Sequence, residues 1–257
     1  MAEKRLWTRA EYIVTFNLYL KLPFGQMHSR HKEIVQLSQL IGRTPSAVAM
    51  RLVNFASVDP FHQNRGVKGL EGGTKQCKPI FDEFIHDRET LMFESEKILA
   101  NYQEIPIEEK FKAELIDISN YAGQTKERLI KTRVNQYLFR KIVLSAYSNK
   151  CAISGTNIPE LLIASHIKRW ADDENNRLNP SNGICLNSLY DKAFDKGFIG
   201  IDTDYKIIFA EKLIKYSKEE HFINHFKAIE NKKIDLPDRF LPDQNFIQFH
   251  LENYFNK

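Results

Sequence analysis

His166 stands at the end of an apolar run, Leu161 to Ile167, directly before the basic pair Lys168-Arg169 and a polar loop. Taken alone, such a histidine reads as a satisfied structural side chain. It has company. Sixteen residues on, Asn182-Gly183 opens a segment of helical spacing, and on that segment Asp191 and Asp195 lie four apart. Side chains at that spacing project from one face of a helix. Two carboxylates held there repel each other, and a divalent cation between them removes the repulsion. Such a pair supplies hard oxygen ligands suited to Mg2+ or Mn2+. Without a cation, Asp191 pairs with Lys192 or solvent, and Asp195 takes a helix-end hydrogen bond near Gly197.

Cations surround these residues in sequence: Arg133, Arg140, Lys168, Arg169 and Arg177. Arginine and lysine suit phosphate, and arginine grips it with two parallel hydrogen bonds. Arg140 serves equally well to fix its helix to the core. The charge distribution extends the pattern. Residues 1–79 carry a net +7, residues 80–120 a net −7, residues 121–150 a net +6 and residues 151–257 a net −2. Basic blocks of this size fit contact with a polyanion such as nucleic acid, or else form solvated helix faces.

The elements that must position these side chains follow from periodicity. Thr8-Arg9-Ala10-Glu11 is a capping-box pattern, and Tyr12, Phe16, Tyr19 and Leu20 continue it as a helix up to Pro23. A second helix is predicted from Lys32 to Ile41, stopped by Gly42. Thr44-Pro45 starts a third. Two helices so closely spaced form a helix-turn-helix layout, in which Arg43, Ser46 and Arg51 are the contacts to backbone or base edges and Ala47 allows close approach. Glycines and basic residues between 60 and 78 predict a loop. Pro79 opens a helix to about Tyr102 whose exposed positions are acidic: Asp82, Glu83, Asp87, Glu89, Glu94 and Glu96. A basic helix follows from about Lys126 to Tyr147. Then come a short strand at Cys151–Gly155, a strand at Leu161–Ile167, a loop, a helix from Asn182 to Phe194, and a hairpin of 198–201 with 205–209. The tail is mainly helical and is broken at Pro237 and Pro242. His221 and His225, four apart there, read as structural.

Composition bounds the class. The chain has 257 residues, 42% hydrophobic and 27% charged, which excludes a disordered or collagen-like chain. No apolar run reaches the roughly 18–20 residues that a bilayer demands. The start, MAEKRLWTRAEY, has no apolar leader region. Three cysteines (Cys77, Cys151 and Cys185) make no disulfide framework and point to a reducing cytoplasm.

The run from about Arg133 to Phe209 resembles the HNH nuclease domain of the ββα-metal type. The matching stretches are Gln136–Arg140, Tyr147–Gly155, Leu161–Lys168, Asn179–Leu186 and Ala193–Gly197. Bacterial restriction-endonuclease-like proteins that carry this domain at the C-terminal end are also similar around Leu236–Pro242 and Phe249-His250. Trp7-Thr8 and Gly42–Val48 resemble the head domain of some of them, and loosely a Myb-like helix-turn-helix.

The resemblance implies roles. His166 is the general base toward water, and Asn182 orients its imidazole or reaches the metal. Asp191 takes the position of the family's third histidine as a metal ligand, with Asp195 as the second. The implied reaction is metal-dependent hydrolysis of DNA phosphodiesters, leaving a 5′ phosphate and a 3′ hydroxyl. Two departures stand out. Ser165 replaces the aspartate that many members carry before the base, and no CxxC pairs are present, so no structural zinc is expected.

The expected protein is α+β: a helix-turn-helix-like DNA-reading domain (1–60), a basic loop and acidic helical linker (61–120), an HNH nuclease domain (121–215) and a helical tail (216–257). It is a cytoplasmic restriction endonuclease acting on double-stranded DNA with Mg2+ or Mn2+, as a homodimer and with no membrane partner. The alternatives are a nuclease dependent on modified cytosine and a non-catalytic DNA-binding protein with a degenerate HNH domain.

Overall fold

The computed structural model describes residues 5–115 and 121–255. The junction expected at residue 120 lies outside them. The chain divides into two compact units, Met1–Leu138 and Phe139–Lys257. Helices form the first and mixed helix and strand the second, so the fold is α+β.

The first unit is built around α1 (Arg9–Lys21). The Thr8/Glu11 capping box is present, and α1 is buried on every side. Next come α2 (Lys32–Leu40) and α3 (Pro45–Val58), the latter capped by the Thr44 side chain on Ala47 N–H with Pro45 in its first turn. A short α4 (Pro60–Gln63) leads to α5 (Glu71–Phe84), and α6 (Arg88–Tyr102) packs along α1.

Three expectations change here. Residues 71–78 are the start of α5 rather than a loop. Its glycines serve packing: a Cβ on Gly73 would meet Asn54 Nδ2 of α3 at 2.1 Å. Pro79 therefore sits inside a helix, on its exposed face, rather than at a start. Secondly, α3 packs against α1, α2, α4 and α5, and from Arg51 onward it is almost wholly buried. Only its first turns, with Ser46 and Met50, face solvent. A helix so enclosed cannot lie along a groove; it can offer only its N-terminal end. Thirdly, Glu96 is 4% exposed rather than on a solvated face. It holds Lys21 at 2.9 Å and Lys110 of α7 (Ile107–Lys110) at 2.8 Å.

α8 (Gly123–Ala146) spans the division between the units. In the second unit, Cys151–Gly155 is a turn rather than a strand. Cys151 Sγ accepts the backbone N–H groups of Ser154 (3.5 Å) and Asn187 (3.2 Å). β1 (Leu162–His166) pairs antiparallel with β2 (Gly183–Asn187), and α9 (Ser188–Asp195) follows at once. Residues 183–187, expected as helix, are thus strand. Ile184, Cys185 and Leu186 are fully buried, and pairing with β1 outweighs local periodicity. Asn187 restarts the chain as the α9 N-cap, its Oδ1 accepting Tyr190 N–H at 3.0 Å. That resets the phase of the helix and leaves Leu189 exposed. The hairpin forms as expected from β3 (Ile199–Ile201) and β4 (Ile207–Phe209). The tail holds α10 (Glu211–Ile214), α11 (Glu220–His225) and α12 (Gln244–Asn253). On α11 both His221 and His225 are exposed, with ring centroids 4.7 Å apart, and neither is a core histidine.

Candidate active site

β1 delivers His166 to the point where the chain leaves the ladder, opposite Gly183. The glycine is required because a Cβ there would meet Val143 at 2.6 Å and Phe139 at 2.9 Å, both on α8. Phe139 also supplies the seat for the imidazole: the two rings stack with centroids 4.3 Å apart and planes within 12°. Trp170 meets His166 edge-on at 5.7 Å.

His166 Nε2 lies 2.9 Å from the Arg177 carbonyl oxygen. A carbonyl only accepts, so Nε2 carries the proton and Nδ1 keeps its lone pair. Burial pushes the imidazole pKa below its ordinary value; the Arg177 carbonyl and the charge of Asp191 oppose this without cancelling it. The result is a neutral histidine of fixed tautomer.

Asn182, at the end of the loop between β1 and β2, is fully buried. Its Oδ1 accepts Lys168 N–H at 2.8 Å, and its Nδ2 donates to the carbonyls of Lys168 (3.0 Å) and Asn176 (3.2 Å). The side chain therefore closes the loop that carries Arg177. These three hydrogen bonds all go to the backbone of that loop.

Asp191 lies in the first turn of α9, half-buried. Burial raises its carboxyl pKa, and Asp195 adds to the rise. The hydroxyl of Ser165, Lys192 and His166 pull the other way. Asp195 is differently placed. Arg169 Nε stands 3.4 Å from its Oδ1, and Arg169 Nη2 donates to its backbone carbonyl at 2.6 Å. The structure thus brings His166, Ser165 and Asp191 together, and ties Asp195 to an arginine.

The remaining cations divide sharply. Lys168 is paired with Asp173 at 3.1 Å and lies over the Phe249 ring at 4.4 Å. Arg177 pairs with Glu174 at 2.7 Å and covers Trp170 at 4.9 Å. Arg140 donates to the Pro159 carbonyl at 2.8 Å, the structural one of its two readings. Arg133 is exposed on α8 and reaches Gln136 at 3.3 Å.

In the first unit, Arg43 and Arg51 do not face outward. Arg43 donates to both carboxylate oxygens of the fully buried Glu11 at 2.9 Å, and to the carbonyls of Arg5 and Leu6. Arg51 is buried against Trp7 (4.6 Å) and Tyr12 (4.8 Å). Both guanidiniums hold the unit together. Ser46 is the one of the three that solvent reaches.

Residues 151–202 match a family model described as HNH endonuclease. The chain carries an HNH endonuclease domain. No curated protein matches the chain. The matched segment contains β1, β2 and α9, and with them His166, Ser165, Asn182 and Asp191. The HNH domain supports nuclease activity in general, and nucleases of this family typically use a divalent metal.

The donors of this HNH domain fit such an ion in part. Asp191 is a carboxylate held above its usual pKa by burial and a second acid, and a cation relieves both. Among the described residues, no group of three or more His, Cys, Asp or Glu is arranged to hold a metal. Mg2+ in general keeps several waters and is bound through one or two carboxylates plus substrate phosphates, a habit that a site with few protein donors would suit. Cys77, Cys151 and Cys185 are buried free thiols, and burial pushes the Cys185 thiol up to about 12.

Sequence reasoning missed the Arg177 carbonyl, for a backbone acceptor leaves no mark in composition. It also missed Phe139, which lies outside the strand and helix that carry the site.

Proposed function

We propose that this protein is a metal-dependent endonuclease that hydrolyses the phosphodiester bonds of double-stranded DNA, with His166 as general base. The observation that carries the reading is the 2.9 Å bond from His166 Nε2 to the Arg177 carbonyl. It leaves Nδ1 as the basic atom of a neutral imidazole. Phe139 prevents the ring from turning, and Asn182 fixes the loop that provides the carbonyl.

Nδ1 removes a proton from water as its oxygen attacks phosphorus. The bond to the 3′ oxygen breaks, leaving a 5′ phosphate and a 3′ hydroxyl. Asp191, oriented by Ser165, would hold Mg2+ or Mn2+, which when bound stabilises charge on the phosphate and the leaving oxygen. Asp195 enters that shell only if Arg169 releases it. The basic N-terminal block supports a DNA-contacting role for the first unit, and cutting both strands with one site per chain calls for a homodimer. A restriction endonuclease unites these features.

The test is incubation of the full chain with varied duplex DNA. Cleavage with Mg2+ or Mn2+, stopped by EDTA and yielding 5′-phosphorylated ends, is expected. Absence of cleavage with either ion on every duplex, methylated and unmethylated, contradicts the reading.

A further inference from the structure

Helix α12 lies beyond the matched segment, yet it and its C-cap reach the loop that leaves β1 at two points and α9 at a third. Phe249 lies under Lys168. His250 stacks on Phe194 of α9 at 3.8 Å and bonds its carbonyl at 3.2 Å. Tyr254, at the end of α12, makes the fullest set of contacts. Its ring carries the Arg169 guanidinium, 4.0 Å from the centroid. Its hydroxyl accepts the Arg169 backbone N–H at 3.4 Å and donates to the Asp172 carboxylate. Arg169 is therefore seated on an aromatic face and held by Asp195 at the end of α9.

The arginine is not enclosed by these partners. Its side chain remains 44% exposed, three residues beyond His166 and next to Trp170, which touches the imidazole. A guanidinium stacked on a ring keeps for another acceptor the in-plane N–H donors that Asp195 does not take, and such a fork matches phosphate oxygens. Pre-seating also lowers the entropy lost when a long side chain is fixed on binding.

We propose that Tyr254 is a positioning residue that seats Arg169 as a phosphate clamp beside His166. The tail helix is then a working part of the nuclease site. The substrate group is one backbone phosphate of the duplex, contacted independently of base sequence. This deepens the endonuclease reading and rests on it for the identity of the polyanion.

The experiment measures duplex binding by fluorescence anisotropy across salt concentrations, using full-length protein in a His166→Ala background so that cleavage does not intervene. Arg169→Ala should weaken binding about tenfold and flatten the slope of log affinity against log salt by roughly one. Tyr254→Leu should give the same loss. Tyr254→Phe keeps the ring and should keep the slope. The Arg169→Ala/Tyr254→Leu double variant should lose no more than either single, because the two act as one unit. A purely structural tyrosine would lower the melting temperature and leave the slope alone, and that result overturns the proposal. So does a double variant that loses the sum of both singles. If Tyr254→Leu does not fold, the Arg169 Nε–H resonance of the His166→Ala protein decides: it should shift on titration with duplex, and a resonance that stays put overturns the clamp. Changed slopes with an inactive wild type would retain the clamp and remove the endonuclease reading. Unchanged slopes with an active wild type would do the reverse.

Discussion

A histidine that must accept a proton near neutral pH has two requirements: it must be neutral, and the accepting nitrogen must not carry the proton already. In His166 burial meets the first and the Arg177 carbonyl meets the second. The sign of the pH dependence follows. Burial holds the imidazole pKa below its ordinary 6.5, so the neutral form persists down through neutrality, and a base-catalysed cleavage should be lost only as pH falls through that lowered value. A pH–rate profile should show its acid limb centred below 6.5; a limb centred above 7 contradicts the assignment. The two aspartates should also separate. Asp191→Ala should weaken Mn2+ binding, read by calorimetry, more than Asp195→Ala does, because Arg169 already occupies Asp195. Equal losses, or a larger loss at Asp195, would show that the arginine yields its place. Most of these residues were legible in the sequence, since His166, Asn182 and Asp191 sit in motifs of fixed spacing. Their partners were less so: the Asn182 side chain bonds the backbone of Lys168 and Asn176, which no motif announces.

At the scale of elements, capping signals proved the readable part. Thr8/Glu11 and Thr44-Pro45 place helix starts correctly, because the donors they satisfy are local. Residues 183–187 were misread because a fully buried strand shows no alternation, and only its partner β1 distinguishes it from a helix. The glycines of 69–73 were misread because packing and flexibility call for the same residue. Two predictions belong here. Gly183→Ala should destabilise the second unit by about 1–3 kcal/mol, since Val143 and Phe139 leave its Cβ no room, with activity falling as the His166 seat shifts. A melting curve within a degree of wild type would contradict that. The second prediction concerns Glu96. Burial alone would raise its carboxyl, but Lys21 and Lys110 more than offset this and hold it at about 2, against its ordinary 4.5. A depressed acid stabilises the fold above its unfolded pKa and loses that contribution as pH falls through the folded one. Glu96→Gln should therefore destabilise the first unit by on the order of 3 kcal/mol at pH 7, with the difference closing between about pH 4.5 and 2 in urea titrations. A difference that does not vary with pH would contradict it.

Across the molecule, the residues assigned to chemistry fall within the second unit, and the net +7 of residues 1–79 falls within the first. Sequence located both features but mistook the means. Arg43 and Arg51 read as surface cations, and instead bind the fully buried Glu11 and the Trp7 ring. A charged residue announces its charge in sequence and not its partner. In the loop after β1, Lys168, Arg169 and Arg177 each already hold an acid, so duplex must compete for them. The central claim is that His166 acts as base in a nuclease, and one comparison tests it most directly: duplex cleavage and duplex binding by wild type and His166→Ala under the same Mg2+ or Mn2+ conditions. The account predicts a cleavage rate lower by roughly 10²–10⁴ with affinity within about twofold, because the change removes a proton acceptor and no phosphate contact. Cleavage by His166→Ala within tenfold of wild type would contradict it.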